Sequence, residues 1–289
     1  MYFEKLLENL RQDSSYDNIM KNVINTFSLY FLCDHFIGDE AWKWGILPKL
    51  SGKNDLNTTN NIDAIQDYDI LQCQFTFFEH FVNNILPNIN KKIILTTSCF
   101  QNSFFTSRNE MTDMVLNHPN ILLWISVNPI YPSSDKFMAF PLGLAPFNLS
   151  VYADTLLHKP IIKENEVVHM HLSETNECRR VLPQVDICSE IDFYDNIRKS
   201  KFMISPIGDR DDCYRNYECI GLQTIPISNV NDFHRPIFMD NMYYCNIDTM
   251  VETINTNNVN YEYKPPNQDL ICVEYYKDLI YKRIEELRG

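Results

Sequence analysis

Short apolar segments of strand length alternate with amphipathic segments of helix length along most of the chain. Tyr68–Gln72 and Lys92–Thr96 have the composition of buried strands, and Phe77–Leu86 between them has the apolar spacing of a helix. The apolar run Phe27–Cys33 also predicts a strand. Strands and helices that alternate in this order form parallel sheets with helices packed on both faces. We therefore expect an α/β protein built on doubly wound parallel sheets.

The second half of the chain shows the same alternation. Between residues 128 and 146 the prolines are too frequent for the interior of a strand or helix, so we place a domain boundary near Ser150. This gives three parts, residues 1–150, 151–267 and 268–289. The elements predicted beyond the boundary are the strand Glu166–His171, the helix Ile191–Ser200, the strand Phe202–Ser205, the helix Tyr214–Leu222, the strand Thr224–Ser228 and the amphipathic helix Gln268–Leu287.

Composition limits the classes of partner. The chain has 25 basic and 38 acidic residues and a formal net charge of −13, so we expect it to bind neither nucleic acid nor an anionic membrane. No apolar stretch approaches the roughly 18 residues of a membrane helix, and the N-terminus lacks a signal-peptide pattern. We therefore expect a cytoplasmic protein without membrane insertion. Nine scattered cysteines without a CxxC pair predict reduced thiols rather than disulfides or a zinc ribbon.

The most informative segment runs from Phe202 to Ile227. Its strand ends at Ser205, and a tight turn is expected at Gly208. Asp211 or Asp212 is suited to cap the helix that follows. A strand–turn–helix unit of this kind directs backbone N–H groups and the positive end of the helix toward a ligand. This geometry binds phosphate.

Arg215 and Glu218 are three residues apart, on one face of the predicted helix. A guanidinium pairs bidentately with phosphate oxygens, and a carboxylate one turn further along can accept both hydroxyls of a ribose. Together they predict a nucleoside diphosphate site. The same spacing also occurs in ordinary solvent-exposed ion pairs, which contribute about 0.2–0.5 kcal/mol to a helix.

These residues resemble the C-terminal signature of the exostosin-like glycosyltransferases. That signature has a Ser-Pro-x-Gly loop, an Arg, a Glu, a Gly and a final Ile-Pro-[Ile/Val]. Upstream, Thr175–Arg180 resembles the Thr-Asn-x-x-Arg segment of the family, and Asp192–Phe202 resembles its helix and following strand. The match is looser in the N-terminal half. Gly221, two places before Gln223, departs from the usual pattern at the helix end.

The resemblance implies a GT-B architecture, in which two Rossmann-like domains face a central cleft and a C-terminal helix returns toward the N-terminal domain. It implies an inverting, metal-independent glycosyltransferase that moves a sugar from a nucleoside-diphosphate donor, typically a UDP-sugar, to a glycan hydroxyl, with no further cofactor. A member of the family without a membrane anchor is expected in a virus or a microbe. A viral member would act in the host cytoplasm. The implied nucleotide-sugar-binding residues are Arg180, Ser205, Gly208, Asp212, Arg215 and Glu218.

Inverting transfer needs a general base for the acceptor hydroxyl. In GT-B enzymes that base usually lies in the N-terminal domain, on a loop at the carboxyl end of a strand. The turn after the predicted strand Phe27–Cys33 fits this place, so Asp34, His35 and Asp39 are the catalytic candidates. Asp34 and His35 could instead merely cap the next helix.

Three other interpretations remain open. The triplets Asp67-Tyr-Asp69 and Asp209-Arg-Asp211 could bind the metal of a GT-A transferase, although such triplets arise by chance in an Asp-rich chain. His169-Met-His171 places two imidazoles on one face of a strand, but a zinc site needs further ligands, and none is near in sequence. A non-catalytic glycan-binding protein is compatible with the aromatic content of 13%.

Overall fold

A computed structural model of the chain describes residues 1–46, 49–50, 52–57, 62–98, 105 and 107–289. The strands are β1 (His35–Ile37), β2 (Asn54–Asp55), β3 (Ile70–Gln74), β4 (Ile93–Ser98), β5 (Ile121–Val127), β6 (Phe137–Phe140), β7 (Asn165–Val168), β8 (Ser200–Ile204), β9 (Ile225–Ser228) and β10 (Tyr243–Tyr244). The α-helices are α1 (Tyr2–Gln12), α2 (Tyr16–Asn22), α3 (Ser28–Leu32), α4 (Glu40–Lys43), α5 (Phe78–His80), α6 (Glu110–Asn117), α7 (Leu149–His158), α8 (Glu177–Arg180), α9 (Glu190–Lys199), α10 (Tyr214–Gly221), α11 (Arg235–Phe238), α12 (Ile247–Thr256) and α13 (Val273–Arg288).

The described chain forms two compact units, each with its own sheet. Unit 1 consists of Met1–Asn25 and Leu142–Tyr276, and unit 2 of Thr26–Pro141 and Lys277–Gly289. The sequence-based boundary near Ser150 falls inside α7, a helix of unit 1, because the chain enters unit 1 at Leu142. The entry is fixed locally, since the Leu144 amide donates to the Ile24 carbonyl at 2.8 Å.

Unit 2 is built on a six-stranded sheet in the order β2-β1-β3-β4-β5-β6, and all its pairings are parallel. β3 and β4 are buried along their whole length, and each begins with apolar residues, as expected for strands covered on both faces. The strand order reverses between β1 and β3. In doubly wound sheets, ligands bind outside the carboxyl ends of the strands at such a reversal.

Two predictions in unit 2 are wrong. Residues 27–33 do not form a strand: α3 occupies Ser28–Leu32, and its last bond runs from the Cys33 amide to the Leu29 carbonyl at 3.1 Å. A short apolar run has the same composition in a buried helix as in a buried strand, so composition could not separate the two. The proline-rich stretch from 128 to 146 does contain a strand, β6, whose residues lie between the prolines.

Unit 1 is built on a four-stranded parallel sheet in the order β10-β9-β8-β7. Helix α9 connects β7 to β8, and α10 connects β8 to β9. Phe202 and Ile204 of β8 pack with Ile225 and Ile227 of β9 and with Met250 of α12 in one apolar core. The chain is therefore mixed α/β with two parallel sheets, as predicted. The segment that carries the candidate site follows directly after β8.

Nine cysteines were predicted to be reduced thiols. The eight cysteines in the described residues are all free, and Cys99 lies outside them. None of the helices in the described parts of the chain combines the length and the apolar character needed to cross a membrane.

Candidate functional site

A cavity of about 300 Å³ opens in unit 1 beside the start of α10. Two kinds of side chain line it. The polar and charged lining residues include His171, Arg179, Cys213, Arg215 and Glu218, and the apolar ones include Phe147, Ile187 and Phe193. The cavity thus combines the positive end of a helix and two guanidinium groups with an apolar surface.

Helix α10 begins at the cavity with Cys213 in the N-cap position, and no side chain caps it. The prediction that Asp211 or Asp212 caps this helix is therefore wrong. Asp212 is buried, and its Oδ2 accepts from the Leu142 amide at 3.0 Å and from the Tyr217 hydroxyl at 2.5 Å. Burial raises the pKa of Asp212 to about 6, although these hydrogen bonds oppose the shift. Asp212 therefore fixes Leu142, the residue at which the chain enters unit 1. It is not among the residues that line the cavity.

Arg215 and Glu218 both line the cavity, one helical turn apart. Arg215 Nη2 donates to the His171 carbonyl at 2.8 Å, and its guanidinium carbon lies 5.6 Å from the centre of the Phe193 ring. Arg215 Nη1 is buried and has no hydrogen-bond partner among the described residues. A buried donor without a partner costs about 1–3 kcal/mol, more when it is charged. The arrangement leaves Arg215 with an unused donor beside the cavity.

Glu218 lines the same cavity and is only 5% exposed. Its Oε1 accepts from the Tyr194 hydroxyl at 3.2 Å. Burial raises the pKa of Glu218 to about 7, and the charge of Arg215 limits this rise. Burial also lowers the pKa of Arg215 from its ordinary value. The pair is thus a partly desolvated acid and base beside a cavity rather than a solvent-exposed ion pair.

The arginine that reaches this site from α8 is Arg179, whereas the sequence-based choice, Arg180, is exposed. Arg179 Nε donates to the Ile207 carbonyl at 2.8 Å, and Nη2 to the Pro206 carbonyl at 3.0 Å. The motif itself could have corrected the choice, because Thr-Asn-x-x-Arg starting at Thr175 ends at Arg179. Arg179 both lines the cavity and fixes the loop after β8.

Ser205 and Gly208 belong to that loop. Ser205 is fully buried, and its hydroxyl donates to Asn216 Oδ1 at 2.7 Å, which ties the end of β8 to α10. A Cβ atom at position 208 would lie 2.7 Å from Arg179 Nη2, so the glycine leaves room for the Arg179 guanidinium against this loop. Neither residue lines the cavity, and both shape the segment that carries it.

The three catalytic candidates lie at two different edges of the unit 2 sheet. Asp34 and His35 stand at the amino end of β1, because the segment before them is a helix and not the predicted strand. His35 Nε2 lies 2.7 Å from Asp69 Oδ2, and Asp34 Oδ2 accepts from the Ile70 amide at 2.9 Å. These contacts tie the starts of neighbouring strands together.

Asp39 follows the carboxyl end of β1, the edge where a base was expected. Its Oδ1 accepts from Gln74 Nε2 at 2.9 Å, its Oδ2 pairs with Lys43, and its amide donates to Gln74 Oε1 at 2.8 Å. Burial alone would raise the pKa of Asp39, but the hydrogen bonds from Lys43 and Gln74 outweigh it and lower the pKa. Asp39 is therefore a carboxylate at neutral pH, at the reversal of strand order between β1 and β3.

The aspartate triplets have local contacts. Asp67 Oδ1 accepts from the Lys92 amide at 2.7 Å, and Asp211 Oδ2 accepts from Asn231. His169 and His171 each bond a backbone carbonyl, at 2.6 Å and 3.0 Å. Among the described side chains, no three of the types His, Cys, Asp and Glu come together as candidate ligands of a metal ion.

Comparison with known proteins adds no relative. No protein-family model matches the chain, and its sequence matches no curated protein. The resemblance to exostosin-like glycosyltransferases therefore stays a prediction that depends on the residues quoted above.

Proposed function

We propose that the cavity of unit 1 binds the nucleoside diphosphate of a sugar donor and that the protein is an inverting, metal-independent glycosyltransferase of GT-B type. The observation that carries this proposal is Arg215, whose buried Nη1 lacks a partner among the described residues and stands beside a cavity that also exposes Glu218. A diphosphate in the cavity would offer acceptor oxygens to the Arg215 guanidinium, and the ribose hydroxyls would supply donors for Glu218.

The proposed chemistry assigns a role to each group. The acceptor oxygen forms a bond to the anomeric carbon while the bond from that carbon to the diphosphate oxygen breaks, and the acceptor proton passes to a base. Negative charge grows on the leaving diphosphate, where Arg215 and the first N–H groups of α10 stabilise it. Asp39 stays the sequence-based candidate for the base; it is a carboxylate at the carboxyl edge of the unit 2 sheet.

Calorimetric titration with UDP and GDP tests the donor site. We expect Arg215→Ala to weaken binding roughly 10- to 100-fold, because a hydrogen bond to a charged group contributes about 1.5–3 kcal/mol. Glu218→Gln should also weaken binding when it is measured at about pH 8, above the pKa of Glu218, since it removes the ionised acceptor. Arg180→Ala is the matched control, because this exposed arginine lies outside the cavity. Equal affinities in Arg215→Ala and Arg180→Ala would show that the diphosphate does not bind at Arg215.

Turnover needs a separate measurement. Hydrolysis of a panel of UDP- and GDP-sugars should detect the donor, and the rate should be unchanged by EDTA. Loss of the activity in EDTA would favour a metal-dependent GT-A enzyme instead. Binding of free glycans without binding of any nucleotide would indicate a glycan-binding protein and refute the transferase proposal.

A further inference from the structure

One side of the cavity is a coil segment, residues 182–188, that we call the pocket wall. Its residues Ile187 and Cys188 line the cavity. Two of its backbone carbonyls accept hydrogen bonds from histidine rings: Pro183 O lies 2.6 Å from His169 Nε2, and Val185 O lies 3.0 Å from His171 Nδ1. The pair of histidines that resembled metal ligands in the sequence thus holds the pocket wall.

The same histidines connect the pocket wall to the charged end of the cavity. A carbonyl can only accept, so the proton sits on Nε2 of His169 and on Nδ1 of His171. The backbone carbonyl of His171 accepts from Arg215 Nη2 at 2.8 Å. His171 therefore fixes the pocket wall with its ring and the Arg215 guanidinium with its backbone, and it sets the distance between them.

The pocket wall brings an exposed apolar side chain to the cavity. Ile187 is 78% exposed and Phe147 is 62% exposed, and both line the cavity together with Arg215. A ligand that fits has one anionic part for the guanidinium and one flat, weakly polar part for the apolar side chains. In a nucleoside diphosphate these parts are the diphosphate and the nucleobase, whose faces pack well on apolar and aromatic groups.

We propose that the pocket wall is the nucleobase-binding surface of the donor site and that His169 and His171 are its positioning residues. This inference rests on the proposed function and extends it. It assigns the base to Ile187 and Phe147, and the diphosphate to Arg215. His169 lies outside the cavity lining, and the His171 ring, although it lines the cavity, donates its Nδ1 proton to the pocket wall, so we expect both substitutions to act through the pocket wall.

The test compares substitutions that keep each hydrogen bond with substitutions that remove it. An Asn amide nitrogen at position 171 stands close to the place of Nδ1, and a Gln amide nitrogen at position 169 reaches the place of Nε2. His171→Asn and His169→Gln should therefore bind UDP or GDP about as well as the wild type. His171→Leu and His169→Met should each weaken nucleotide binding roughly 3- to 10-fold, the value of one lost hydrogen bond.

Inorganic pyrophosphate separates a loose pocket wall from a damaged protein. It has no base, so its affinity should be the same in the wild type, His171→Leu and His169→Met. Parallel losses for pyrophosphate and nucleotide would overturn the inference, because the histidines would then act on the whole cavity. Unchanged nucleotide affinity in both of these variants would also overturn it.

Ile187→Ser gives a test that does not depend on the histidines. The side chain is mostly exposed, so folding should be unaffected, and nucleotide binding should weaken about fivefold as apolar contact with the base is lost. Ile191→Ser is the matched control, since Ile191 is 66% exposed and lies outside the cavity lining. Equal nucleotide affinities in the two variants would refute the inference while leaving the diphosphate site at Arg215 intact. A wild-type protein that binds neither nucleotide would instead refute the proposed function, and the inference with it.

Discussion

We expect the free energy of unfolding of unit 1 to fall between about pH 5 and about pH 8, because Glu218 ionises in the folded protein over this range. Burial raises the pKa of this carboxyl from an ordinary value of 4.5 to about 7. Between these two values the folded protein keeps the proton that the unfolded chain has lost. The folded state therefore binds more protons, and the free energy of unfolding falls as the pH rises. The contribution is fully present below 4.5 and is lost as the pH passes through 7.

The size of the effect follows from the same two values. A difference of about 2.5 pH units, at about 1.4 kcal/mol for each, sets an upper limit of roughly 3–4 kcal/mol. Glu218 is only 5% exposed, so solvent screens its charge little and the pKa difference appears almost fully in the free energy of unfolding. Over the range from about pH 5 to about pH 8 we expect roughly 2–3 kcal/mol. Glu218→Gln removes the titrating group, so the variant should lose that much less stability over this range.

Other buried carboxyls titrate nearby, and burial raises the pKa of Asp211 and of Asp212 as well. For this reason the measured quantity is the difference between the wild type and Glu218→Gln at each pH. Hydrogen exchange of the amides in α10, followed by mass spectrometry, reports the opening of unit 1 directly.

The protein offers an internal control. Its three tryptophans, Trp42, Trp44 and Trp124, all belong to unit 2. Tryptophan fluorescence in urea therefore follows unit 2 and should give the same pH profile for the wild type and the variant. If exchange in α10 shows parallel pH profiles for the two proteins, Glu218 ionises near its ordinary pKa, and the reasoning about its burial is wrong.

Two further predictions concern the entry into unit 1. Gly143→Ala should cost about 3 kcal/mol in thermal unfolding, because φ is +78° and the added Cβ would lie 2.5 Å from the Ile24 backbone; a loss below about 1 kcal/mol would contradict the close approach. Asp212→Asn should cost about 1–3 kcal/mol in urea unfolding near pH 7, because one carboxylate oxygen accepts from both the Leu142 amide and the Tyr217 hydroxyl. An equal loss in Asp212→Asn and Tyr217→Phe would assign the whole effect to the Tyr217 bond.

Strands buried on both faces were the most predictable elements. β4 was expected at Lys92–Thr96 and occupies Ile93–Ser98, because a strand covered on both sides favours a run of apolar residues such as Ile93–Leu95. The run Phe27–Cys33 satisfies the same rule but belongs to a helix whose residues Leu29 and Tyr30 are also buried. Only the hydrogen-bond pattern separates the two cases, and this pattern depends on neighbours distant in the sequence.

The sequence could not predict which chain segments make up each unit, for a related reason. The pairing of Met1–Asn25 with Leu142–Tyr276 depends on bonds such as the one between Leu144 and Ile24, and backbone amides carry no signature in the sequence. Gly143 is the exception, because its positive φ needs a glycine. The proline-rich stretch that contains it was interpreted only as leading to a domain boundary near Ser150, whereas in the structure Gly143 packs closely against the Ile24 backbone.

At the candidate site, the spacing of Arg215 and Glu218 predicted two residues of the cavity, because helical geometry alone places them on one face. The choice between Arg179 and Arg180 depended on the rotation of a helix of four residues, which periodicity cannot determine.

The shape of the cavity depends on side chains that donate to carbonyls of coil segments: Arg179 to Pro206 and Ile207, and the two histidines to the pocket wall. Every residue offers a carbonyl, so the accepting positions Pro183 and Val185 can change their side chains, whereas the donating positions need a side chain with an N–H group. A related site in another chain would therefore be recognised by its donors rather than by the residues that line it.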